Sequence, residues 1–190
     1  MTSSIKEPLP FFVLTLDERI DLYADVLAVT GKPSSADREH AADLKRVVFE
    51  GVRTAVKQGL PTSSVAIWAD GDLGESVLLR AKAMSIATSA SPGSGLETVK
   101  HLFVDYIGIQ LSFNPDSPPN TREQILKQLE DLSGSTRKES IQMIIELDST
   151  PTTAQIDNFG NSMKARANLL VKSIQQFQDA GVDSALWAFD

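Results

Sequence analysis

The chain has 190 residues, no cysteine, and 25 acidic against 18 basic side chains, giving a net charge of −7. With 42% apolar and 23% charged residues, it has the composition of a globular chain long enough to bury a substantial core. The acidic balance argues against broad nucleic-acid binding, which needs a clustered positive face. The lack of cysteine excludes disulfides, zinc-thiolate sites and a cysteine nucleophile.

Short apolar runs alternate with longer segments of helical period. The first dozen residues, with Pro8 and Pro10, read as an arm leading into the run FFVLTLD. From Asp37 to Gln58 the rhythm is helical. Leu44, Val47, Val48, Gly51, Val52, Ala55 and Val56 make one apolar stripe, and Gly59 and Pro61 mark its stop. The runs SSVAIWAD and AMSIATS come next, then Ser94-Gly-Leu-Glu97, a pattern expected to open a helix. DYIGIQLSF is the fourth strand, and PDSPPN the loop after it. Thr121-Arg-Glu-Gln124 is the next helix start, with Ile125, Leu129 and Leu132 on one face. SIQMIIELD is the fifth strand, and Thr150-Pro151 an N-cap with proline behind it. The last helix carries Ala167, Leu170, Val171, Ile174 and Phe177 to a stop at Gly181, and SALWAFD closes the chain.

This alternation predicts an α/β fold with a mostly parallel sheet of six strands, organised as one domain over residues 1–190. Two architectures fit: an open doubly wound sheet, or a (β/α)8 barrel short of its last two units. No apolar run approaches 18 residues and the N-terminus is not signal-like, so a cytoplasmic protein with no membrane contact is expected.

In both architectures ligands bind at the carboxyl ends of strands. Those ends carry Asp17 and Arg19, Asp70 and Asp72, Ser89 to Gly95, Ser112 and Asn114, Glu146 and Asp148, and Asp190. Such carboxylates serve as hard oxygen ligands for a divalent metal, as general acids and bases, or as helix caps and solvated loop residues. Glu146 stands apart because it lies inside the run IIELD, where a charge is costly unless it faces a polar site. The stretch SPGSG offers backbone N–H groups to a phosphate but lacks the lysine of a P-loop. His40 and His101 fall in helical segments, which gives a histidine metal site little support. No lysine falls at a strand end; all lie in the arm, loops or helices.

The segments FFVLTLDER, DLKRVVFEGVRTAV, WADGDLGESVLLRAKA, the FNP turn, IIELDSTPTTAQ and QDAGVDSALWAFD occur in an order that spans almost the whole chain. Together they resemble the aldolase-like domain fused to the sugar kinase of bacterial inositol catabolism, the 2-deoxy-5-keto-gluconate 6-phosphate aldolase family. That domain is similar to the class I tagatose-bisphosphate aldolases and is a (β/α)8 barrel. The resemblance implies a carbohydrate-metabolism scaffold whose reaction needs no cofactor and no metal, because a lysine amine forms the iminium that accepts electrons from the breaking bond.

The same resemblance implies losses. The family's lysine follows a Trp on strand six, and here Trp187 is followed by Ala188. A Glu-Lys-Ser-Gly-like turn on strand three is replaced by Ser89, Ala90, Ser91 and Pro92, and the Lys and Arg of strand four by Gly108 and Ser112. Asp17 and Glu146 remain as remnants of the catalytic set. Arg19, Asp70, Ser89, Ser91 and Asn114 occupy positions that would face a small sugar-phosphate-like ligand. A barrel ending after strand six also lacks the region after strands seven and eight that often holds phosphate. Its two open sheet edges point to a homo-oligomer. Three functions therefore stay open: an aldolase-like pseudoenzyme, an active enzyme of the same superfamily using Asp17 and Glu146 with or without a metal, and an unrelated doubly wound binding module.

Overall fold

The computed structural model describes residues 12–16, 22–93, 96–183 and 186–189. The chain divides into two compact α/β units, Met1–Tyr106 and Ile107–Asp190.

Unit one runs β1 (Phe12–Leu16), α1 (Ser35–Lys57), β2 (Val65–Asp70), α2 (Glu75–Ala83) and β3 (Ala87–Ser91). β2 lies between β1 and β3, parallel to both, with Leu14 opposite Ile67 and Ile67 opposite Thr88. Every residue of β2 is buried, which accounts for its unbroken apolar run: a central parallel strand has no solvent face. After β3 come two three-residue 3-10 turns, Leu96–Thr98 and Lys100–Leu102. The α-helix expected from Ser94-Gly-Leu-Glu97 does not form across them, and Ser94 itself is outside the described residues.

Unit two takes all but the first residue of β4 (Tyr106–Ser112), then α3 (Pro119–Lys138), β5 (Gln142–Asp148), α4 (Thr153–Phe159), α5 (Ser162–Asp179) and the short β6 (Leu186–Phe189). β5 lies between β4 and β6 and runs parallel to β6. Phe113, Met143, Ile145 and Leu147 pack with Leu129 of α3 and Phe177 of α5, and the Phe113 and Phe177 rings stand 4.7 Å apart. One face of this sheet is thus closed by helices.

Helix starts are set by local hydrogen bonds, not always where the sequence pattern suggests. Ser34 and Asp37 form a reciprocal capping box on α1, and Thr152 and Gln155 form another on α4, two residues beyond the expected Thr150. Helix α3 begins at Pro119, so Thr121 lies inside its first turn instead of capping it. Asn161 caps α5 by accepting from the Lys164 N–H at 2.8 Å.

Helix ends follow one pattern four times. In α1, α2, α3 and α5 the chain turns left-handed at Gly59, Ser85, Ser140 and Gly181. The next residue then donates five back along the chain: Leu60 to Ala55, Ile86 to Ala81, Ile141 to Thr136 and Val182 to Phe177. This is the Schellman stop, in which an apolar residue just beyond the helix folds back onto it. Gly59 and Gly181 announce two of these stops in the sequence; the two serines do not. A serine at positive φ is strained where glycine is not. Ser85→Gly and Ser140→Gly are each expected to raise stability by about 0.5–1 kcal/mol, the strain relieved exceeding the entropy glycine adds to the unfolded chain. A rise in the urea midpoint at unchanged m-value checks this.

The buried rows also differ from those expected. On α1 the hidden row is Ala41, Lys45 and Phe49, while Val47 and Val48 are exposed. On α5 it is Ala165, Leu169, Ser173 and Phe177, while Val171 is 69% exposed. The Ser173 hydroxyl is satisfied there by donating to the Leu169 carbonyl at 2.8 Å.

Candidate functional site

In unit one, Asp70 ends β2 and is nearly buried. One of its carboxylate oxygens accepts from the backbone N–H groups of Asp72, Leu73 and Gly74 at 3.1, 2.6 and 3.4 Å. The other receives the Lys45 ammonium in an ion pair whose lysine side chain is 2% exposed. A lysine thus does reach a strand end, from the middle of α1. Arg38, two turns earlier on α1, pairs with Asp72 of the same turn. Gly74 closes the turn so tightly that an added Cβ would sit 2.5 Å from the Ala69 Cβ and 2.6 Å from the Asp70 carbonyl oxygen. Asp70 is therefore an anchor for the β2–α2 turn, with both oxygens engaged.

Beside it, parallel register sets Trp68 against Ser89 and Asp70 against Ser91, so these four share one face of the sheet. The Trp68 indole N–H donates to the Ser91 hydroxyl at 2.8 Å. Ser89 is fully buried, and its hydroxyl has no hydrogen-bond partner among the described residues. Asp17 and Arg19 lie outside the described residues, as do Ser94 and Gly95 of SPGSG. The segment Leu96–Thr98 is only a three-residue 3-10 turn, too short to supply the helix N-terminus that phosphate binding there requires.

Unit two carries the more open polar surface. Because Ile109, Leu111 and Phe113 of β4 and its following residue pack toward the helices with Met143, Ile145 and Leu147 of β5, the alternate residues look the other way. On β4 these are Gln110 and Ser112, both exposed; on β5 they are Ile144, Glu146 and Asp148. The Phe113 N–H donates to the Asp148 carbonyl at 3.2 Å, and the Ser112 hydroxyl lies 3.5 Å from the Asp148 carboxylate. With Phe113 bonded to Asp148, Ser112 beside Asp148 and the apolar residues of both strands on the other face, Gln110 falls beside Glu146 two residues back along each strand. On the opposite flank Glu146 is in register with Ala188 of β6. Gln110, Glu146 and Ala188 thus form one row across the three strands, with Ser112 and Asp148 in the row above.

Glu146 is buried and has interactions within the protein. Asp148 is held by the Thr150 hydroxyl at 2.9 Å. Every lysine and arginine of unit two, from Arg122 to Lys172, falls on α3 or α5. Those helices cover the opposite face.

Asn114, just past β4, is committed to holding its own loop. Its side-chain oxygen accepts from the Asp116 N–H at 3.0 Å and from Gln155 at 3.2 Å, while its NH2 donates to the Gln155 oxygen at 3.3 Å. Gln155 also donates to Asp116 at 2.8 Å, and Lys172 reaches Asp116 at 3.2 Å. The Gln155 hydrogen bond, followed by Lys172, holds the Asp116 carboxyl below its ordinary pKa of 3.8 despite some desolvation. A carboxyl depressed on folding stabilises the native state above its unfolded pKa, and that contribution is lost as pH falls through the folded value. The urea midpoint is therefore expected to fall below about pH 4, and Asp116→Asn to fall less steeply there. The difference is small because the side chain is nearly half exposed.

Among the described residues, no group of three or more His, Asp or Glu side chains is placed to hold a metal ion. No described helix is long and apolar enough to cross a membrane. Compared with known proteins, the chain matches no protein-family model and has no significant match to a curated protein.

Proposed function

We propose that the chain is an aldolase-like protein of carbohydrate metabolism, on a partial (β/α)8 scaffold, that binds a carbohydrate-like ligand but has lost carbon–carbon lyase chemistry. The reading rests on the row Gln110, Glu146 and Ala188, where the strand position beside the buried acid is an alanine. A class I aldolase needs an amine there to attack the substrate carbonyl and form an iminium. A carboxylate, an amide and a methyl group supply hydrogen bonds and an acid, but no nucleophilic nitrogen. The buried amine of unit one does not replace it. Lys45 is 2% exposed and spends its charge on Asp70, so it has neither a free lone pair nor access to a carbonyl.

What the two rows offer to solvent suits hydroxyl groups: the Gln110 amide, the Ser112 hydroxyl and the Asp148 carboxylate. The sequence resemblance adds Asp17 and Arg19 as companions to Glu146, and a homo-oligomer formed through sheet edges. The test is borohydride trapping read by intact mass, with dihydroxyacetone phosphate and malonate semialdehyde as offered carbonyls. No adduct is expected. A stoichiometric adduct mapped to one lysine would sink the proposal.

A further inference from the structure

Resting on the aldolase-like reading, we infer that the face carrying Gln110, Ser112, Glu146 and Asp148 takes a sugar or polyol without phosphate or carboxylate. Four observations converge on this class. First, Gln110 and Ser112, the described side chains of this face that are fully exposed, are neutral hydrogen-bonding groups. An amide and a hydroxyl each donate and accept, as a ligand hydroxyl does.

Second, carboxyl groups stand behind them, Glu146 buried beside Gln110 and the partly exposed Asp148 beside Ser112. An anionic ligand would meet like charge at the Asp148 carboxylate. Third, no lysine or arginine of unit two lies on a strand or in a loop after one, and the helices that carry them cover the opposite face. Phosphate recognition ordinarily draws on arginine or lysine, and among the described residues of unit two neither stands on this face. Fourth, Asn114 and Asp116, which flank the face at the end of β4, are tied to Gln155 and Lys172. The nearby Lys172 charge is thereby neutralised locally. Ligand hydroxyls instead find an acceptor in the Asp148 carboxylate and both roles in the Gln110 amide.

The experiment titrates the whole chain by calorimetry with tagatose and sorbitol, and with tagatose 6-phosphate and sorbitol 6-phosphate, at two salt concentrations. The neutral member of each pair is expected to bind at least about tenfold more tightly, with no dependence on salt. Gln110→Ala and Ser112→Ala, both at exposed positions, are each expected to weaken that binding by about 3- to 10-fold. Phosphorylated ligands binding equally or better would overturn the inference, as would binding of neither class or neutral binding unchanged in both variants. Borohydride trapping judges the loss of lyase chemistry separately. No adduct together with a preference for phosphorylated sugars would leave the parent reading standing and remove only this ligand class.

Discussion

Replacing Lys45 with methionine is expected to destabilise the protein by about 3–5 kcal/mol, the usual cost of removing one partner from a buried ion pair. The substitution nearly preserves volume in the hidden row between Ala41 and Phe49, so little of the loss comes from packing. It comes from Asp70, left with a charge at a nearly buried strand end and three backbone N–H groups as its remaining partners. Adding Asp70→Asn removes the stranded charge while leaving an oxygen for those N–H groups. The double variant should therefore recover part of the loss, with a coupling of at least about 1 kcal/mol. Urea unfolding of the two single variants and the double variant measures this. Additive losses would mean that the two residues do not act as a pair.

Installing an amine where the row has none is expected to have the largest chemical effect. Ala188→Lys puts a lysine in register with Glu146, a carboxylate suited to shuttling the protons of carbinolamine formation and dehydration. The variant should pass from no borohydride adduct to one stoichiometric adduct with a small ketone or aldehyde, mapped to position 188. Ala188→Met, of similar length without the amine, should give none. An Ala188→Lys protein that melts normally but does not trap would show that the row lacks the access or polarity an iminium requires.

The alternation of strands and helices was legible because it is written in short-range periodicity. β2 and β5 are apolar runs in the sequence and buried strands in the fold. Glu146 could also be singled out beforehand, since a charge inside such a run needs a reason. Rows on helices were harder. Helix α5 has apolar residues on two adjoining stripes. Phe177 and Leu170 pack on β4 and β5 residues distant in sequence, while Leu169 is buried and Val171 exposed, so the stripe seen in sequence alone is not the row that is hidden.

Lys45 was invisible for a related reason. Lysine is almost never buried without a partner, and its partner is 25 residues away. Local patterns also misplaced two helix starts, because competing capping groups a few residues apart are decided by chain direction as much as by side chain. The row through Gln110, Glu146 and Ala188 joins three strands. Only their registration could bring it into view.

The four repeated helix stops have a consequence for how such a chain can change in length. Each spends the first residues after its helix on a fixed left-handed turn and an apolar residue folded back on the helix; Ile86 and Ile141 immediately precede β3 and β5. An insertion in such a junction would displace both the turn and its apolar plug. The connection leaving β4, residues 113–118, carries no such motif and is held instead by the side chains of Asn114 and Asp116. Insertions and deletions are thus resisted at these helix-to-strand junctions.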